Sequence, residues 1–396
     1  MRHVRVPSEG PLWARRGSNN RVAPGGQDGG SALTNGRKTM RRSGLGSAEI
    51  VDVRGGCLIR CDRALWRAWP RAPHPEILTP AMTTNAPDTT GPSTHDAEED
   101  ARNRDILIYV NGALRHRDAA MVSVYDSGFM LGDGMWEGMR LYDGVWAFFD
   151  DHMDRFFDSC HAISLDVGMD RAGIAEALCM TAEANGMTTD VHCRLMVTRG
   201  TKSKPFQHPG LSRQGPTLVI IMEHSKPAQH LQSAGIRLAS VPQVRGLPHS
   251  QDAKFNSHSK LNCVIACLQA EQAGADEALM LDPHGFVNTT NACNFFIVRK
   301  GAVWTSTGDY CMNGVTRQKV IDLCRADGIP VFEKNFSLYE AYSADEAFLT
   351  GTFGAQTPVA EIDGRAIGDG MRPVMTRIRA LYKAAIAEDI GAQKAR

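Results

Sequence analysis

Between Ile106 and about Gly351 the chain is cut into short apolar runs by tight two-residue turns. That feature excludes more folds than any other. In "ILIYVNGALRHRD" the pair Asn111-Gly112 separates two strand-like runs, and Asp143-Gly144 does the same in "MRLYDGVWAFFDDHMDRFFDSCHAI" before a helical stretch. Such pairs accept the positive φ values that a tight hairpin needs. "RAGIAEALCMTAEANG" reads as an amphipathic helix stopped at Gly186. "HCRLMVTRG", "TLVIIMEHS", "IRLASVPQV", "EALMLD", "FVNTT", "NFFIV" and "EAFLTG" read as strands, and "TRQKVIDLCRADG" as a helix. Strict strand–helix–strand alternation is missing, which argues against a doubly wound sheet and for a mixed α/β (α+β) fold. The polar stretch 223–232 is where the chain can cross between domains, giving 104–226 and 227–396.

Residues 1–103 have another texture. They are rich in Arg, Gly, Pro and Ser, lack hydrophobic periodicity, and end in the charge run "DAEEDARNRD". Such a segment buries too little apolar surface to offset its ordering entropy and is expected to be disordered. An Arg-rich, acid-poor beginning has the composition of an organelle transit peptide. "MTTNAPDTTG" at Met82 would nevertheless make an ordinary amino terminus, and a start assigned upstream of Met82 in a cytoplasmic protein is the reading adopted.

The formal net charge is zero, giving no reason to expect a nucleic-acid or anionic-membrane partner. No apolar run reaches membrane-spanning length. Ten cysteines in 396 residues do not suggest a disulfide framework. Neither Cys263 with Cys267 nor Cys57 with Cys61 has the company a zinc site needs, so no metal is expected.

"QDAKFNSHSKLNC" holds two lysines, Lys254 and Lys260. Leu261, Val264, Ile265 and Leu268 follow at helical spacing, and Asn256, Ser257 or Ser259 can cap that helix. Lys254 then ends an extended segment, where a lysine can point into a cleft. A buried amine there would have the lowered pKa that covalent chemistry needs. Lys260 would sit near the first helical turn. Gly314 precedes the helix of Val315 and Thr316, whose free N–H groups favour an anion. Gly351, Thr352 and Gly354 form another donor-rich turn at a strand end, and Arg155 can be carried inward on its helix. A lysine, an arginine and two phosphate-ready turns suit pyridoxal phosphate.

With these motifs in place, the chain resembles the class IV, fold type IV pyridoxal-phosphate enzymes, which include branched-chain and D-amino-acid aminotransferases and aminodeoxychorismate lyase. "DSGFMLGDGMWEGMRLYDG", "HMDRFFDS", "GADEALMLDPHGFV", "GVTRQKVIDLC" and "ADEAFLTGTFGAQTPV" carry the resemblance, from about Ile106 to Ile367. It implies a smaller α/β domain, a larger barrel-like domain, the cofactor between them, and a homodimer. Arg155 matches the phosphate-binding arginine, Val315 and Thr316 the donors at the phosphate helix, and Thr352 the threonine of the "GT" turn. Lys254 is the best match to the Schiff-base lysine, although the loop after it is longer than usual. Lys260 falls where a tyrosine often contacts the cofactor, and is the alternative Schiff-base residue. Phe129, Arg194 and Lys204 are placed toward the substrate.

Two departures stand out. Thr289 occupies the place of the glutamate that pairs with the pyridinium nitrogen. "TRGTKSKPF" lacks the arginine and histidine with which D-amino-acid enzymes trap a carboxylate. The expected activity is transfer of an amino group between an amino acid, branched-chain-like, and a 2-oxo acid. A lyase of the aminodeoxychorismate type and a cofactor-binding protein without turnover are the alternatives.

Overall fold

The computed structural model describes residues 50–53, 56–59, 93, 94, 97 and 99–395. The chain divides into two compact units, Met1–Asn85 and Ala86–Arg396. In the first, β1 (Ile50–Val53) pairs antiparallel with β2 (Gly56–Ile59). The expectations of a disordered extension and of a start at Met82 fall mostly outside the described residues. In the second unit Thr94 is already buried. Its N–H donates to Glu277 Oε1 at 2.9 Å. The packed chain therefore begins upstream of the boundary at residue 104 that texture suggested.

The first sheet of this unit is built from β3 (Leu107–Val110), β4 (Ala113–His116), β5 (Gly134–Tyr142), β6 (Val145–Trp146), β7 (Val191–Thr198) and β8 (Thr217–His224). Its order is β4-β3-β8-β7-β5-β6, antiparallel throughout. Both expected hairpin turns are present, with φ of 48° and 87° at Asn111-Gly112 and 50° and 79° at Asp143-Gly144. A short helix α1 (Ser127–Leu131) leads into β5, and the longer helices α2 (Phe149–Ala162) and α3 (Arg171–Ala184) cover the sheet. Met153, Phe156, Ile174 and Leu178 from the helices pack on Met139, Leu195 and Ile220 of the strands. Fully burying a side chain of this size contributes about 1.5–3 kcal/mol.

The second sheet comprises β9 (Ile236–Ser240), β10 (Glu277–Leu281), β11 (Val287–Thr290), β12 (Asn294–Arg299), β13 (Ala302–Thr305), β14 (Val331–Glu333), β15 (Glu346–Gly351), β16 (Ala355–Ile362) and β17 (Arg365–Ala366). The run β11-β10-β9-β16-β15-β12 closes on itself because β11 also pairs β12, at Thr289 opposite Asn294. Closure makes a barrel, and residue alternation then separates two cores. Phe295, Ile297 and Leu349 join one cluster with Ile236, Leu279 and Val359. Phe296 and Phe348 lie on the opposite face, stacked with centroids 5.1 Å apart. They are covered by Val320 and Ile321 of α7 (Val315–Ala326) and by Met375 and Ile378 of α9 (Pro373–Lys394). Shorter helices α4 (Gln229–Ser233), α5 (Pro248–Gln251) and α8 (Leu338–Tyr342) complete the connections, and α6 (Leu261–Gln272) crosses from β9 to its parallel neighbour β10.

The helix read from the Leu261 spacing is present as α6, and one expectation about it is corrected. Asn256, Ser257 and Ser259 do not cap it; Lys260 is the N-cap residue, with no side-chain cap. Asn256 O accepts from Trp136 N–H at 2.9 Å and His258 N–H donates to Gly134 O at 3.0 Å. Pairing with β5 therefore keeps residues 256–258 extended and delays the helix. Leu261, Val264 and Leu268 of the stripe are 71%, 51% and 51% exposed. Small residues, Cys263, Ala266 and Ala270, pack inward instead.

Candidate active site

A cavity of about 320 Å³ lies where β5 and β7 face β11, the start of α7, the turn after β15 and the start of α6. Arg155, Arg194, Lys260, Thr289, Thr316 and Thr352 all line it, as do Val315 and Trp136. No Asp or Glu does. Residues more than a hundred positions apart in sequence thus form one electropositive chamber.

Arg155 is fixed by a partner that sequence reasoning missed. Glu137 is fully buried in the middle of β5 and accepts from Arg155 Nε at 2.8 Å and Nη2 at 2.6 Å. His152 Nδ1 lies 2.8 Å from the same carboxylate. Burial pushes the Glu137 carboxyl up, but the Arg155 charge and the hydrogen bonds from His152 and Arg155 outweigh it, and its pKa falls below the ordinary value. Burial lowers that of Arg155 while Glu137 raises it, with a net upward shift. Arg155 Nη1 donates to Asn313 O at 3.1 Å, next to the N-terminus of α7. A lone carboxylate inside an apolar strand was the available signal: "MWEGMR" requires a cation, and "HMDR" supplies two at helical spacing.

The α7 terminus is shaped for an anion. Gly314 is its N-cap residue, and a Cβ there would come within 2.4 Å of Asn294 Oδ1. Val315 and Thr316 follow with N–H groups that no preceding helical turn satisfies. Thr316 Oγ1 is 3.3 Å from the Tyr382 hydroxyl on α9. Thr352 faces them from the turn after β15.

The two lysines part company. Lys260 is half-buried and lines the cavity, with its amine 5.9 Å from the Trp136 ring centroid. Burial lowers its pKa to about 8; Arg245, Arg194 and Arg155 push the same way, against an opposing contribution from Cys263. Lys254 is exposed and lines not the cavity but an adjoining groove, with Asp151, Asp154, Asp158 and Asp252, that shares Arg155, Gly314 and Val315 with it. Its N–H donates to Asp252 Oδ1 at 2.9 Å. Because residues 256–258 are held on β5, Lys254 stays outside the chamber and Lys260 enters it.

The other expected residues divide similarly. The Arg194 guanidinium stacks on Trp136, 4.0 Å from its centroid. Thr289 is buried, and its hydroxyl donates to Cys293 O at 2.7 Å. No carboxylate of the described residues accompanies it on the cavity wall. Phe129 is 72% exposed on α1, and Lys204 is exposed on the loop after β7; neither lines the cavity. Sequence reasoning missed Trp136, Arg245 and Thr94, each of which does.

These residues suit a phosphorylated aldehyde: an amine, an anion-ready helix terminus, a fixed arginine and a cradle that only glycine leaves open. Thr289, which the resemblance sets opposite the ring nitrogen, lines the cavity as a neutral side chain.

Comparison with known proteins gives the family. The family model of amino-transferase class IV matches residues 134–362. The branched-chain-amino-acid aminotransferase-like protein 1 of Arabidopsis thaliana is 38% identical over 290 residues, 73% of this chain and 52% of that protein. The chain thus spans about half the length of that relative. The branched-chain-amino-acid aminotransferase of Pseudomonas aeruginosa is 33% identical over 289 residues, 71% of this chain and 92% of the relative. The crystal structure of the branched-chain aminotransferase from the thermophilic archaeon Thermoproteus uzoniensis, with norvaline, superposes with a TM-score of 0.64 at 29% identity, covering 72% of this chain and 95% of that one. The mixed α/β architecture is therefore that of the fold type IV branched-chain aminotransferases, and the chain belongs to the class IV amino-transferases.

Proposed function

We propose that this chain is a pyridoxal-phosphate-dependent aminotransferase that uses Lys260, acting on branched-chain-like amino acids. One observation carries the reading. The Lys260 amine, its pKa lowered to about 8, stands in a chamber that no described acidic side chain lines and that the start of α7 also lines. When bound, the cofactor supplies an aldehyde for the amino group and a ring that takes up charge from the substrate carbon. The N–H groups of Val315 and Thr316, the Thr316 and Thr352 hydroxyls and Arg155 would hold its phosphate. Lys260 would hold its aldehyde carbon, then move a proton at the substrate Cα once the substrate amine has displaced it. Trp136 walls the chamber against water, and Arg194 meets the substrate from the β7 side.

The names of the relatives support branched-chain substrates. A second copy of the chain fits the apolar surface formed by Met121, Val124 and Phe129 with Leu261 and Val264, all exposed in the single chain. Ser259 Oγ donates to Gly132 O, joining the two segments of that surface. The described cysteines are unpaired, which supports a reducing compartment such as the cytoplasm. No described helix is long and apolar enough to cross a membrane.

The test is product analysis. Purified protein with pyridoxal phosphate, leucine and 2-oxoglutarate should yield glutamate and the 2-oxo acid of leucine. Ammonia and pyruvate from other donors, with no new amino acid, would replace transfer by elimination. A cofactor spectrum unmoved by any L- or D-amino acid would leave only a binding protein.

A further inference from the structure

We propose that the cavity between α9, β16 and the turn joining β5 to β6 is a second binding site, for a small carboxylic acid with an apolar body. The site does not depend on the aminotransferase reading.

The cavity has a volume of about 490 Å³, within the range of small-molecule sites. It meets the Lys260 chamber at Gly354, which lines both. Tyr142, Tyr382, Ile386 and Ile390 give it apolar walls. Arg379 and Lys383, one helical turn apart on α9, bring two cations to it. Among the described residues Asp143 is the single acid on its wall, and it is exposed in the turn after β5.

Arg379 is the charge to be met. It is half-buried, and its partners are all neutral. Nε and Nη2 donate to Gln356 O at 3.2 and 2.7 Å, Nη1 to Gln232 O at 3.1 Å, and Nη2 also to Gln232 Oε1 at 2.7 Å. Burial, and after it the Arg372 charge, lower its pKa below the ordinary arginine value. The four bonds fix the plane of the guanidinium and leave its charge uncompensated. An anion in the cavity relieves that cost.

A second observation is independent of charge. Gln356 is 2% exposed, and its Nε2 has no hydrogen-bond partner. Phe348, on the barrel face that α9 covers, stands opposite Pro358, and Gln356 shares that face two residues earlier on β16. An open amide donor beside an uncompensated arginine is satisfied by one group, an anionic oxygen acceptor. The aromatic and aliphatic walls then call for an apolar body behind the carboxylate rather than for a sugar or a bare ion.

Calorimetry on the full chain with pyridoxal phosphate added tests this, with 3-phenylpropanoate and the neutral 3-phenylpropanamide as probes. Wild type should bind the acid about tenfold or more tightly than the amide. Arg379→Gln should bring the two affinities within about threefold of each other. Ala387→Trp fills the cavity from an exposed position on α9 and should weaken the acid by about tenfold or more. Should Arg379→Gln not fold, Ala387→Trp decides alone. Acid binding that Ala387→Trp leaves unchanged belongs elsewhere, the Lys260 chamber included, and overturns the proposal. Equal affinity of wild type for acid and amide, or no binding of the acid at about 10 mM, overturns it as well. A protein that takes up no pyridoxal phosphate defeats the aminotransferase reading instead, and the same comparison on that protein still decides this site.

Discussion

Glu137 holds both edges of the Arg155 fork, Nε at 2.8 Å and Nη2 at 2.6 Å. The carboxylate is sealed from water, so the pair stands or falls together. Glu137→Gln leaves the guanidinium unneutralised, and a loss of about 3–5 kcal/mol of stability is expected. Thermal melting and cofactor titration check it: both melting temperature and cofactor affinity should fall. The depressed Glu137 pKa sets the sign in acid. Its contribution is complete above the ordinary glutamate value of about 4.3 and fades as pH drops through the lower folded value. An unchanged melting temperature for Glu137→Gln would refute the coupling.

Lys260 should take the label when borohydride reduces the complex with pyridoxal phosphate, and peptide mass mapping reads the position. A label on Lys254 would sink the assignment. The rate of attachment should climb to about pH 8 and then level, because below that value the amine is protonated. An amine in open solvent would keep gaining toward about 10.4. The same shift makes the cofactor-free protein more stable as pH rises from 8 toward the unfolded value, since the unfolded chain then binds more protons.

Thr289→Glu should raise the rate at which an amino acid converts the bound cofactor. The Thr289 hydroxyl already donates to Cys293 O, so it offers the ring nitrogen no charge. A carboxylate on the same wall would hold that nitrogen protonated and strengthen the pull on electrons. A tenfold change corresponds to about 1.4 kcal/mol of barrier, within reach of stopped-flow absorbance. A variant that binds cofactor and shows no change would mean that Thr289 does not face the nitrogen.

Thr94→Val should destabilise the protein by about 1–3 kcal/mol, because it removes a hydroxyl donor from the buried Glu277 carboxylate. Removing residues 1–81 should cost nothing comparable, as that contact survives. Equal melting temperatures for Thr94→Val and wild type would show that the Thr290 hydroxyl, 3.1 Å from the other Glu277 oxygen, suffices.

Much of this was legible from the chain alone, and the failures have a common cause. Asn111-Gly112 and Asp143-Gly144 announce their turns because a positive φ is a local demand. Gly314-Val315-Thr316 announces a helix start because the space before that helix is also a local demand: Gly314 has φ −64°, and a Cβ there would meet Asn294 Oδ1. The order of Lys254 and Lys260 was not readable, because the competition is tertiary: β5 pairs with residues 256–258 and overrides the local capping residues. The α6 stripe gave the helix but not its packing, because periodicity names an apolar face without saying what covers it. Here small residues meet the barrel and the large ones look outward. Arg245 and Thr94 carry no motif; each matters only through neighbours that folding brings to it.

Helix α9 has a mechanical consequence. At one end Arg379 donates to Gln356 O on β16 at 2.7 Å, against the barrel. Farther along, Asp389 accepts from Phe148 N–H at 2.7 Å and Gln393 donates to Trp146 O at 3.0 Å, against the first sheet. Tyr382, between them, reaches Thr316. One rod thus splints both halves of the cleft and props the phosphate-ready terminus from behind. A hinge opening between the two sheets would have to break these anchors together, so α9 ties the wall that carries the start of α7 to the first sheet.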